Sequence, residues 1–278
     1  MPPEIEQYDA AQILTPGAGY LREYDYSLNP YVGCAFGCSY CYAAFFAPPA
    51  KQQTWGDWVR VKRNAAAKLS RLRRSLVGKT IYMSSATDPY QPIERRLELT
   101  RSLLPILADM GAYLVVQTRS PLVVRDIDLL QRFERVCVNF SVTTDSEAVR
   151  RAFEPRNPPI ANRLQAARVV ADAGIPVAIT MTPLLPIDDP AHFALTMADT
   201  GASRFAVESF TPTLGHFRGG TGEEARAVAS RLGWDRAAYR SARDALIAGL
   251  TPNVREGAAG FSPDYLLSSP ARRSKSSR

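Results

Sequence analysis

Apolar residues recur along this chain in two alternating patterns: short runs rich in valine, isoleucine and alanine, and longer segments with helical periodicity. Such short runs are typical of buried strands, and the longer segments of amphipathic helices. Strands are predicted at residues 24–28, 80–84, 113–118, 136–143, 177–182 and 204–209. Helices are predicted at residues 94–110, 125–133, 159–173 and 190–199. This alternation predicts an α/β fold with a parallel sheet covered by helices.

The segments before the alternating region have other patterns. Residues 1–23 contain several prolines and glycines and little periodicity, so they predict an irregular N-terminal arm. Residues 55–76 predict a first crossover helix with a basic face, because apolar residues share one helical side. Those apolar residues are Trp58, Val61, Ala65, Leu69 and Leu72.

The end of the chain predicts an accessory region rather than a second domain. Residues 211–265 predict a helical C-terminal extension, with helices at 223–232 and from Asp235, the expected N-cap, to about residue 250. Residues 266–278 are rich in serine and lack acidic residues, so they predict a basic, disordered tail. That tail supplies four positive charges, from Arg272, Arg273, Lys275 and Arg278, to the net charge of +7.

Composition bounds the class of protein. A chain of 278 residues with 46% apolar residues can bury a sizeable core in one large α/β domain. We find no signal-peptide pattern and no run of about 18 apolar residues, so we expect a cytoplasmic protein that does not enter the membrane. The net charge of +7 permits a nucleic-acid partner but does not require one. Nothing in the sequence predicts the oligomeric state.

Three of the four cysteines lie in the stretch NPYVGCAFGCSYCYAA, residues 29–44, with the spacing C-x3-C-x2-C. Thiolates this close along a loop can share one soft metal centre, and three ligands are one fewer than a closed structural site uses. We therefore expect Cys34, Cys38 and Cys41 to be metal ligands around an open coordination position. Cys137 lies inside a predicted strand and is expected to be a buried apolar residue.

The alternatives for this motif are a zinc knuckle with a distant fourth ligand, or thiols that share no ligand. The remaining soft ligands are Cys137, His192 and His216, and none of them has zinc-ribbon spacing.

The cysteine motif, with Tyr40 as the aromatic residue before its last cysteine, resembles the hallmark of the radical S-adenosylmethionine (radical SAM) enzymes. The NPY before Cys34 and Tyr42 after Cys41 resemble more narrowly the DNA-repair photolyase, or spore photoproduct lyase-like, branch. This resemblance implies a 4Fe-4S cluster on the three thiolates and S-adenosylmethionine as the second cofactor. It also implies a partial (β/α)6 TIM-like barrel over residues 24–210, where periodicity alone leaves an open doubly wound sheet equally possible.

Two further segments resemble the branch and follow predicted strands, where ligands collect in parallel α/β folds. The run TDPYQP at residues 87–92 implies that Thr87 and Asp88 contact the amino group of the cofactor. An Asp-Pro turn that caps the next helix is the alternative for this run. The second segment, QTRS at residues 117–120, implies that Arg119 pairs with the cofactor carboxylate in a bidentate geometry.

Five more residues are assigned as site residues. Ser141, at the end of the fourth predicted strand, is expected to hydrogen-bond the ribose. The sequence Glu154-Pro155-Arg156 matches the branch's E-P-R and predicts a second ionic pair near the barrel mouth, which either shapes the cofactor pocket or braces the loop. Tyr40 and Tyr42 match tyrosines that relay a hydrogen atom, so both are candidate catalytic residues. One ring is expected against the adenine and the other nearer the substrate.

One position departs from the branch's pattern. Ser85 stands where the hydrogen-donor cysteine of spore photoproduct lyase is expected. A serine O–H is a much poorer hydrogen-atom donor than a thiol, so repair of the spore photoproduct itself is not expected.

The resulting hypothesis is a radical SAM enzyme. It would cleave S-adenosylmethionine reductively to a 5′-deoxyadenosyl radical, with a reductant such as flavodoxin or ferredoxin as partner and nucleic acid as a candidate substrate. Peptides and small molecules remain open as substrates. The alternative function is a non-enzymatic nucleic-acid-binding module with a structural, cysteine-ligated metal.

Overall fold

A computed structural model describes residues 2–72, 75–210 and 222–268. Its strands are β1 Glu4–Tyr8, β2 Leu14–Pro16, β3 Tyr26–Leu28, β4 Tyr31–Val32, β5 Trp58–Lys62, β6 Thr80–Met83, β7 Tyr113–Thr118, β8 Val136–Ser141, β9 Val177–Met181, β10 Arg204–Val207 and β11 Val254–Glu256. Its α-helices are α1 Pro49–Gln52, α2 Ala65–Ser70, α3 Glu94–Leu97, α4 Leu99–Asp109, α5 Ile127–Leu130, α6 Glu147–Phe153, α7 Ile160–Asp172, α8 Pro190–Ala198, α9 Glu223–Arg231, α10 Arg236–Leu250 and α11 Pro263–Leu266.

The main sheet contains the six predicted strands side by side in chain order, as β3, β6, β7, β8, β9 and β10. Every pairing among them is parallel. β2 adds antiparallel to β3 at one edge and β11 adds parallel to β10 at the other, so the sheet remains open. The predicted α/β fold with a partial barrel is confirmed.

The two faces of these strands belong to different apolar clusters. The outer face packs with the helices in the large core and includes Ile81, Val116, Val138, Ile179 and Phe205. The inner face contributes one residue from each of five neighbouring strands: Tyr82, Val115, Cys137, Ala178 and Ala206. The inner cluster is completed by both ends of the chain, through Leu21, Tyr24, Phe261, Leu266 and Leu267. Cys137 is fully buried in this cluster, as predicted.

The prediction of one long helix over residues 55–76 is wrong. The segment contains the strand Trp58–Lys62 and then only the short helix Ala65–Ser70. Glu4–Tyr8 pairs in parallel with this strand, and Tyr31–Val32 pairs with its other edge. Backbone pairing with segments distant in sequence has therefore overridden the local helical period. For the same reason, residues 1–23 are not irregular throughout, since they contain β1 and β2.

The predicted helix over residues 94–110 is divided in two. Glu98 has a φ of 49°, in the left-handed region, between α3 and α4. The carboxylate of Glu94 accepts hydrogen bonds from the backbone nitrogens of Thr100 at 2.9 Å and Arg101 at 3.2 Å. It thus satisfies two donors at the start of α4, which stabilises the break. The prediction at 125–133 is also too long, because a 3-10 turn precedes the short α5.

The C-terminal extension is helical where predicted and also adds a strand. Asp235 caps α10, accepting from the backbone nitrogens of Ala237 and Ala238 at 2.8 Å each. β11 then extends the main sheet. The predicted tail does not begin at residue 266, because Leu266 and Leu267 are buried in the inner cluster. Residues 211–221 and 269–278 of these predictions lie outside the described residues.

In the described parts of the chain, no helix combines the length and the apolar character needed to cross a membrane.

Candidate active site

A cavity of about 410 Å³ opens at the carboxyl ends of the main-sheet strands. One part of its lining is the loop that carries Cys34, Cys38 and Cys41, which we call the cysteine loop. The rest includes residues at or just after the carboxyl ends of β6, β7, β8, β9 and β10, the place where parallel α/β folds collect ligands. Nine of the predicted site residues line it: Cys34, Cys38, Cys41, Tyr40, Tyr42, Thr87, Asp88, Arg119 and Ser141. Glu154 and Arg156 are not among the lining residues.

Two glycines allow the cysteine loop to wrap tightly between β4 and β5. Gly33 has a φ of 81°, and a Cβ built on it would lie 2.6 Å from the Trp58 ring. Gly37 has a φ of 55° and lies against Gly56, where a Cβ would be 3.1 Å from the Gly56 Cα. Larger residues at these positions would push the loop away from β5, because neither the conformation nor the space accommodates a side chain.

Cys38 lies among groups that donate hydrogen bonds to its sulfur. Arg119 Nη1 lies 3.0 Å from Cys38 Sγ, and Asn157 Nδ2 lies 3.3 Å from the same atom. An arginine and an amide N–H directed at a buried sulfur stabilise a thiolate, the form that binds metal. These donors therefore fit the thiolate ligand set of a 4Fe-4S cluster, in which N–H···S bonds to the ligands are common tuning elements.

Without a metal, burial works against ionisation of these thiols. Burial raises the pKa of Cys41 to about 12, and the adjacent Cys38 adds to that shift. Burial likewise raises the pKa of Cys34 well above its usual range. A bound cationic iron centre reverses this balance, since metal binding displaces the thiol protons.

The spacing of these sulfurs bears on the type of metal site. Within residues 2–72, 75–210 and 222–268, no three His, Cys, Asp or Glu side chains come close enough to share a single metal ion. The thiolates of a 4Fe-4S cluster each bind a different iron, so they can lie further apart than the ligands of one zinc ion.

Glu154 is the buried centre of an ionic network behind the cavity. Its carboxylate accepts from Tyr40 Oη, from Arg119 Nη1 at 3.1 Å and from Thr143 Oγ1 at 2.8 Å, and it pairs with Arg163 at 2.5 Å. Burial alone would raise the pKa of Glu154, but the guanidinium groups of Arg163 and Arg119 lower it to about 2. The carboxylate thus holds Tyr40 and Arg119 in place beside Cys38.

The predicted ionic pair between Glu154 and Arg156 does not form. Arg156 Nη2 instead pairs with Asp57 at 2.6 Å, and its Nη1 donates to the Gly56 carbonyl at 2.5 Å. The two side chains leave the loop in different directions, one into the core and one toward β5. Arg156 therefore braces the segment that packs against Gly37, and it does so without Glu154.

Thr87 and Gln91 attach the end of β6 to the cysteine loop. Thr87 Oγ1 donates to the Gly33 carbonyl at 2.6 Å. Gln91 Oε1 accepts from the Ala35 backbone nitrogen at 2.8 Å, and its Nε2 donates to Thr87 Oγ1 at 3.1 Å. The TDPYQP run therefore contains a residue, Gln91, that positions the cysteine loop and was not identified from the sequence.

Asp88 joins the ends of β6 and β7. Its Oδ1 accepts from Thr118 Oγ1 at 2.7 Å and from the Tyr90 backbone nitrogen at 2.9 Å, and its Oδ2 accepts from the Arg119 backbone nitrogen at 2.9 Å. Burial raises the pKa of Asp88 above its ordinary value, although these hydrogen bonds act in the opposite direction. The carboxylate thus fixes the backbone from which Arg119 reaches Cys38.

Tyr42 and Ser85 meet across the cavity. The hydroxyl of Tyr42 donates to the Ser85 carbonyl, and Ser85 Oγ accepts from Asn29 Nδ2 at 3.2 Å. Tyr42 is 37% exposed whereas Tyr40 is 6% exposed, so only Tyr42 presents much of its ring to the open space. Deeper in the cavity, Gln117 Nε2 donates to Ser141 Oγ at 3.3 Å.

Several contributors were not identified from the sequence: Asn29, Gln91, Asn157 and Arg163, together with Glu208 and Tyr20 at the far end of the cavity. Gln91 belongs to the TDPYQP run and Asn157 directly follows the E-P-R segment, so both lie in or next to a recognised motif. Arg163 lies in α7 and had no local signal, because its partner Glu154 becomes a neighbour only on folding.

Comparison with known proteins shows the family to which this chain belongs. The Radical SAM superfamily model matches residues 28–199, which include the cysteine loop and most of the main sheet. The chain belongs to the radical SAM superfamily. The prediction of a 4Fe-4S cluster and S-adenosylmethionine is confirmed at the level of this family.

Three sequence relatives of this radical SAM protein are each named as an uncharacterized protein. An uncharacterized protein of Methanocaldococcus jannaschii is 34% identical over 171 residues, which are 62% of each chain. An uncharacterized protein of Acidianus two-tailed virus is 29% identical over 195 residues, covering 66% of this chain and 64% of that protein. An uncharacterized Mycobacterium bovis protein is 31% identical over 172 residues, covering 58% and 50%. The matches thus span about half to two thirds of these relatives.

Solved structures share the fold of this radical SAM protein. A spore photoproduct lyase variant superposes with a TM-score of 0.62 at 16% identity, over 91% of this chain and 81% of that one. Streptococcus suis SuiB bound to S-adenosylmethionine gives a TM-score of 0.52 at 14% identity, over 92% and 50%. At such identities the comparison establishes the fold, and it confirms the predicted similarity to spore photoproduct lyase at that level.

Proposed function

We propose that this chain cleaves S-adenosylmethionine reductively at a 4Fe-4S cluster held by Cys34, Cys38 and Cys41. The observation that carries the proposal is the convergence of three motif thiols on one cavity, with Arg119 and Asn157 directed at the sulfur of Cys38. When bound, the cluster supplies the electron that converts S-adenosylmethionine to methionine and a 5′-deoxyadenosyl radical. A redox partner must deliver that electron, and we propose a flavodoxin or a ferredoxin.

The residues of the cavity then have separate tasks in holding the cofactor. Arg119 offers a guanidinium to the methionyl carboxylate while one of its nitrogens remains on Cys38 and Glu154. Thr87, Asp88 and Ser141 lie on the adjoining strand ends, where the amino group and ribose are proposed to lie. Asp88 has each carboxylate oxygen engaged by protein donors, so we assign it mainly to positioning.

The tyrosines are proposed to differ in role. Tyr40 is buried with its hydroxyl bound to Glu154, so it supports the cluster and the adenine. Tyr42 faces the open cavity, which makes it the better candidate for relaying a hydrogen atom to or from substrate. Glu154, Arg163 and Thr143 support this wall without contacting the open space.

Nucleic acid is the substrate class we propose. A spore photoproduct lyase complexed with dinucleoside spore photoproduct shares this fold, with a TM-score of 0.60. The net charge of +7 is compatible with such a partner. Aromatic rings in the cavity, among them Tyr20, Tyr42 and Phe261, offer faces on which a base can stack.

The test of this proposal begins with anaerobic reconstitution with iron and sulfide. A brown protein with about four irons per chain supports the ligand set, whereas a colourless protein that retains zinc contradicts it. Binding of single-stranded and duplex DNA by the reconstituted protein then tests the substrate class. We expect binding that weakens as salt rises, and equal affinity for DNA and for an uncharged polymer would contradict it.

A further inference from the structure

A second depression, the outer groove, has a volume of about 580 Å³ and lies beside the cysteine loop. The groove and the cavity share no lining residue. Consecutive residues of the loop nevertheless line the two, with Phe36 in the outer groove and Gly37 and Cys38 in the cavity. The loop that holds the proposed cluster therefore borders both.

Asn157 connects this outer groove to a cluster ligand. Its side chain lines the groove, and its Nδ2 donates to Cys38 Sγ at 3.3 Å. The residue is only 5% exposed, and its Oδ1 is buried without a hydrogen-bond partner among the described residues. A buried, unpaired amide oxygen is uncommon in proteins and suggests a site that receives a further group. One side chain thus separates the groove from the Cys38 sulfur.

The charge of the groove is one-sided. Its described lining contains Arg95, Arg125 and Arg156 and no aspartate or glutamate. Arg125 and Arg156 pair with acids beyond the lining, whereas Arg95 lies exposed on the short helix α3. Apolar side chains complete the lining, including Pro92, Pro121 and Leu122. The exposed cation of Arg95 beside this apolar lining complements an acidic protein surface.

We infer that this outer groove is the docking surface for an acidic electron-transfer protein of the flavodoxin or ferredoxin class. The inference rests on the proposed function, because it requires a cluster on Cys38. One electron passes from the reduced flavin or iron–sulfur centre of the donor, which is oxidised, to the oxidised cluster, which is reduced. Entry on this side leaves the cavity free for S-adenosylmethionine and substrate during reduction.

The test uses charge reversal inside and outside the groove. Arg95→Glu and Asn162→Glu place a carboxylate on exposed lining positions. Arg96→Glu is the matched control, since Arg96 is the exposed neighbour of Arg95 on the same helix and does not line the groove. Calorimetry at low and high salt measures the affinity of each reconstituted protein for the flavodoxins and ferredoxins encoded by the same genome.

We expect each groove variant to bind the donor about tenfold more weakly than wild type at low salt, with a smaller difference at high salt. Arg96→Glu should lose less affinity than Arg95→Glu. Stopped-flow reduction of the cluster by the donor should slow in parallel, while reduction by dithionite should not change. Unaltered donor affinity in both groove variants, or binding of none of these donors by the wild-type protein, would overturn the inference.

A control with dithionite as the reductant distinguishes failure of the docking site from failure of the proposed function. If dithionite supports 5′-deoxyadenosine formation in all variants but donor affinity does not depend on the groove, only the docking site is wrong. If dithionite gives no 5′-deoxyadenosine from a protein with a full, reducible cluster, the proposed function fails instead.

Discussion

The guanidinium of Arg119 lies between a motif cysteine and a buried carboxylate, with Nη1 at 3.0 Å from Cys38 Sγ and 3.1 Å from Glu154 Oε1. Both contacts use the same nitrogen. Among the described residues, they and the bond to Tyr40 Oη are the guanidinium's hydrogen bonds, so its Nη2 edge is available to a ligand. Arg119 is thus held by the protein at one edge and can bind the cofactor carboxylate at the other.

Arg119→Ala should weaken S-adenosylmethionine binding by about 2 kcal/mol or more, the usual scale for removing one partner of a desolvated charge pair. The iron content should stay close to that of wild type, because Arg163 still pairs with Glu154. Calorimetric titration of the two reconstituted proteins measures the difference. An unchanged affinity would remove Arg119 from the cofactor site.

The cysteines should separate into two classes. Alanine at Cys34, Cys38 or Cys41 should each abolish stable cluster assembly, because each removes one of three ligands. Cys137→Ala should keep the cluster, because Cys137 is packed in the inner apolar cluster with Val115 and Ala178. Iron and sulfide analysis after identical reconstitution checks this. Much lower iron in Cys137→Ala, in a variant that is otherwise folded by circular dichroism, would mean that the ligand set is wrong.

Ser85 should limit repair of spore photoproduct. Ser85 lines the cavity at the position where a thiol donor is expected from the family resemblance. We predict formation of 5′-deoxyadenosine but little conversion of lesion-bearing oligonucleotide to two thymines, under anaerobic, dithionite-reduced conditions. Ser85→Cys is the matched variant and should raise the yield of thymine. Efficient repair by the wild-type protein would show that another donor, such as Tyr42, suffices.

A charged contact of Asp25, which does not line the cavity, should contribute to acid stability. Asp25 accepts from the Thr80 backbone nitrogen at 2.9 Å and from Lys79 Nζ at 2.8 Å, which joins the start of β3 to the start of β6. Burial alone would raise the pKa of Asp25, but these partners lower it below its ordinary value of 3.8. Its contribution to stability is therefore complete above that value and is lost as the pH falls through the lower folded-state pKa.

Asp25→Asn should accordingly reduce the free energy of unfolding by about 1 kcal/mol near pH 7. The difference from wild type should shrink as the pH falls below about 4, since the wild-type carboxylate then loses its charge. Urea unfolding of the two cluster-free proteins across this range measures it. A difference that stays constant down to about pH 3 would contradict the role given to the charge.

The sequence was sufficient for the parts of the fold that depend on local pattern. All six core strands were located to within a few residues, because parallel strands buried on both faces have continuous apolar runs. The strand Trp58–Lys62 was missed because its partners, Glu4–Tyr8 and Tyr31–Val32, are distant in sequence and leave no local signal. The helical spacing of apolar residues in this segment was therefore the only local pattern, and it predicted a helix.

In the site, too, local features could be predicted from the sequence, whereas contacts between distant segments could not. Cysteine spacing predicted the three thiols as ligands, and the resemblance of QTRS to the branch predicted Arg119, since both are local features. The Glu154–Arg156 pair was predicted from the match to the branch's E-P-R segment, whereas the folded chain pairs Glu154 with Arg163 across two helices. The contact of Asn157 with Cys38 spans more than a hundred residues and could not be anticipated from either segment alone.

The most direct test of the central claim is the production of 5′-deoxyadenosine. The reconstituted wild-type protein is incubated anaerobically with dithionite and S-adenosylmethionine, beside Cys38→Ala treated in the same way, and the nucleoside is quantified by chromatography. We predict 5′-deoxyadenosine and methionine in equal amounts from the wild type and neither from Cys38→Ala. No 5′-deoxyadenosine from a wild-type protein that carries four irons and a reducible cluster would contradict the account.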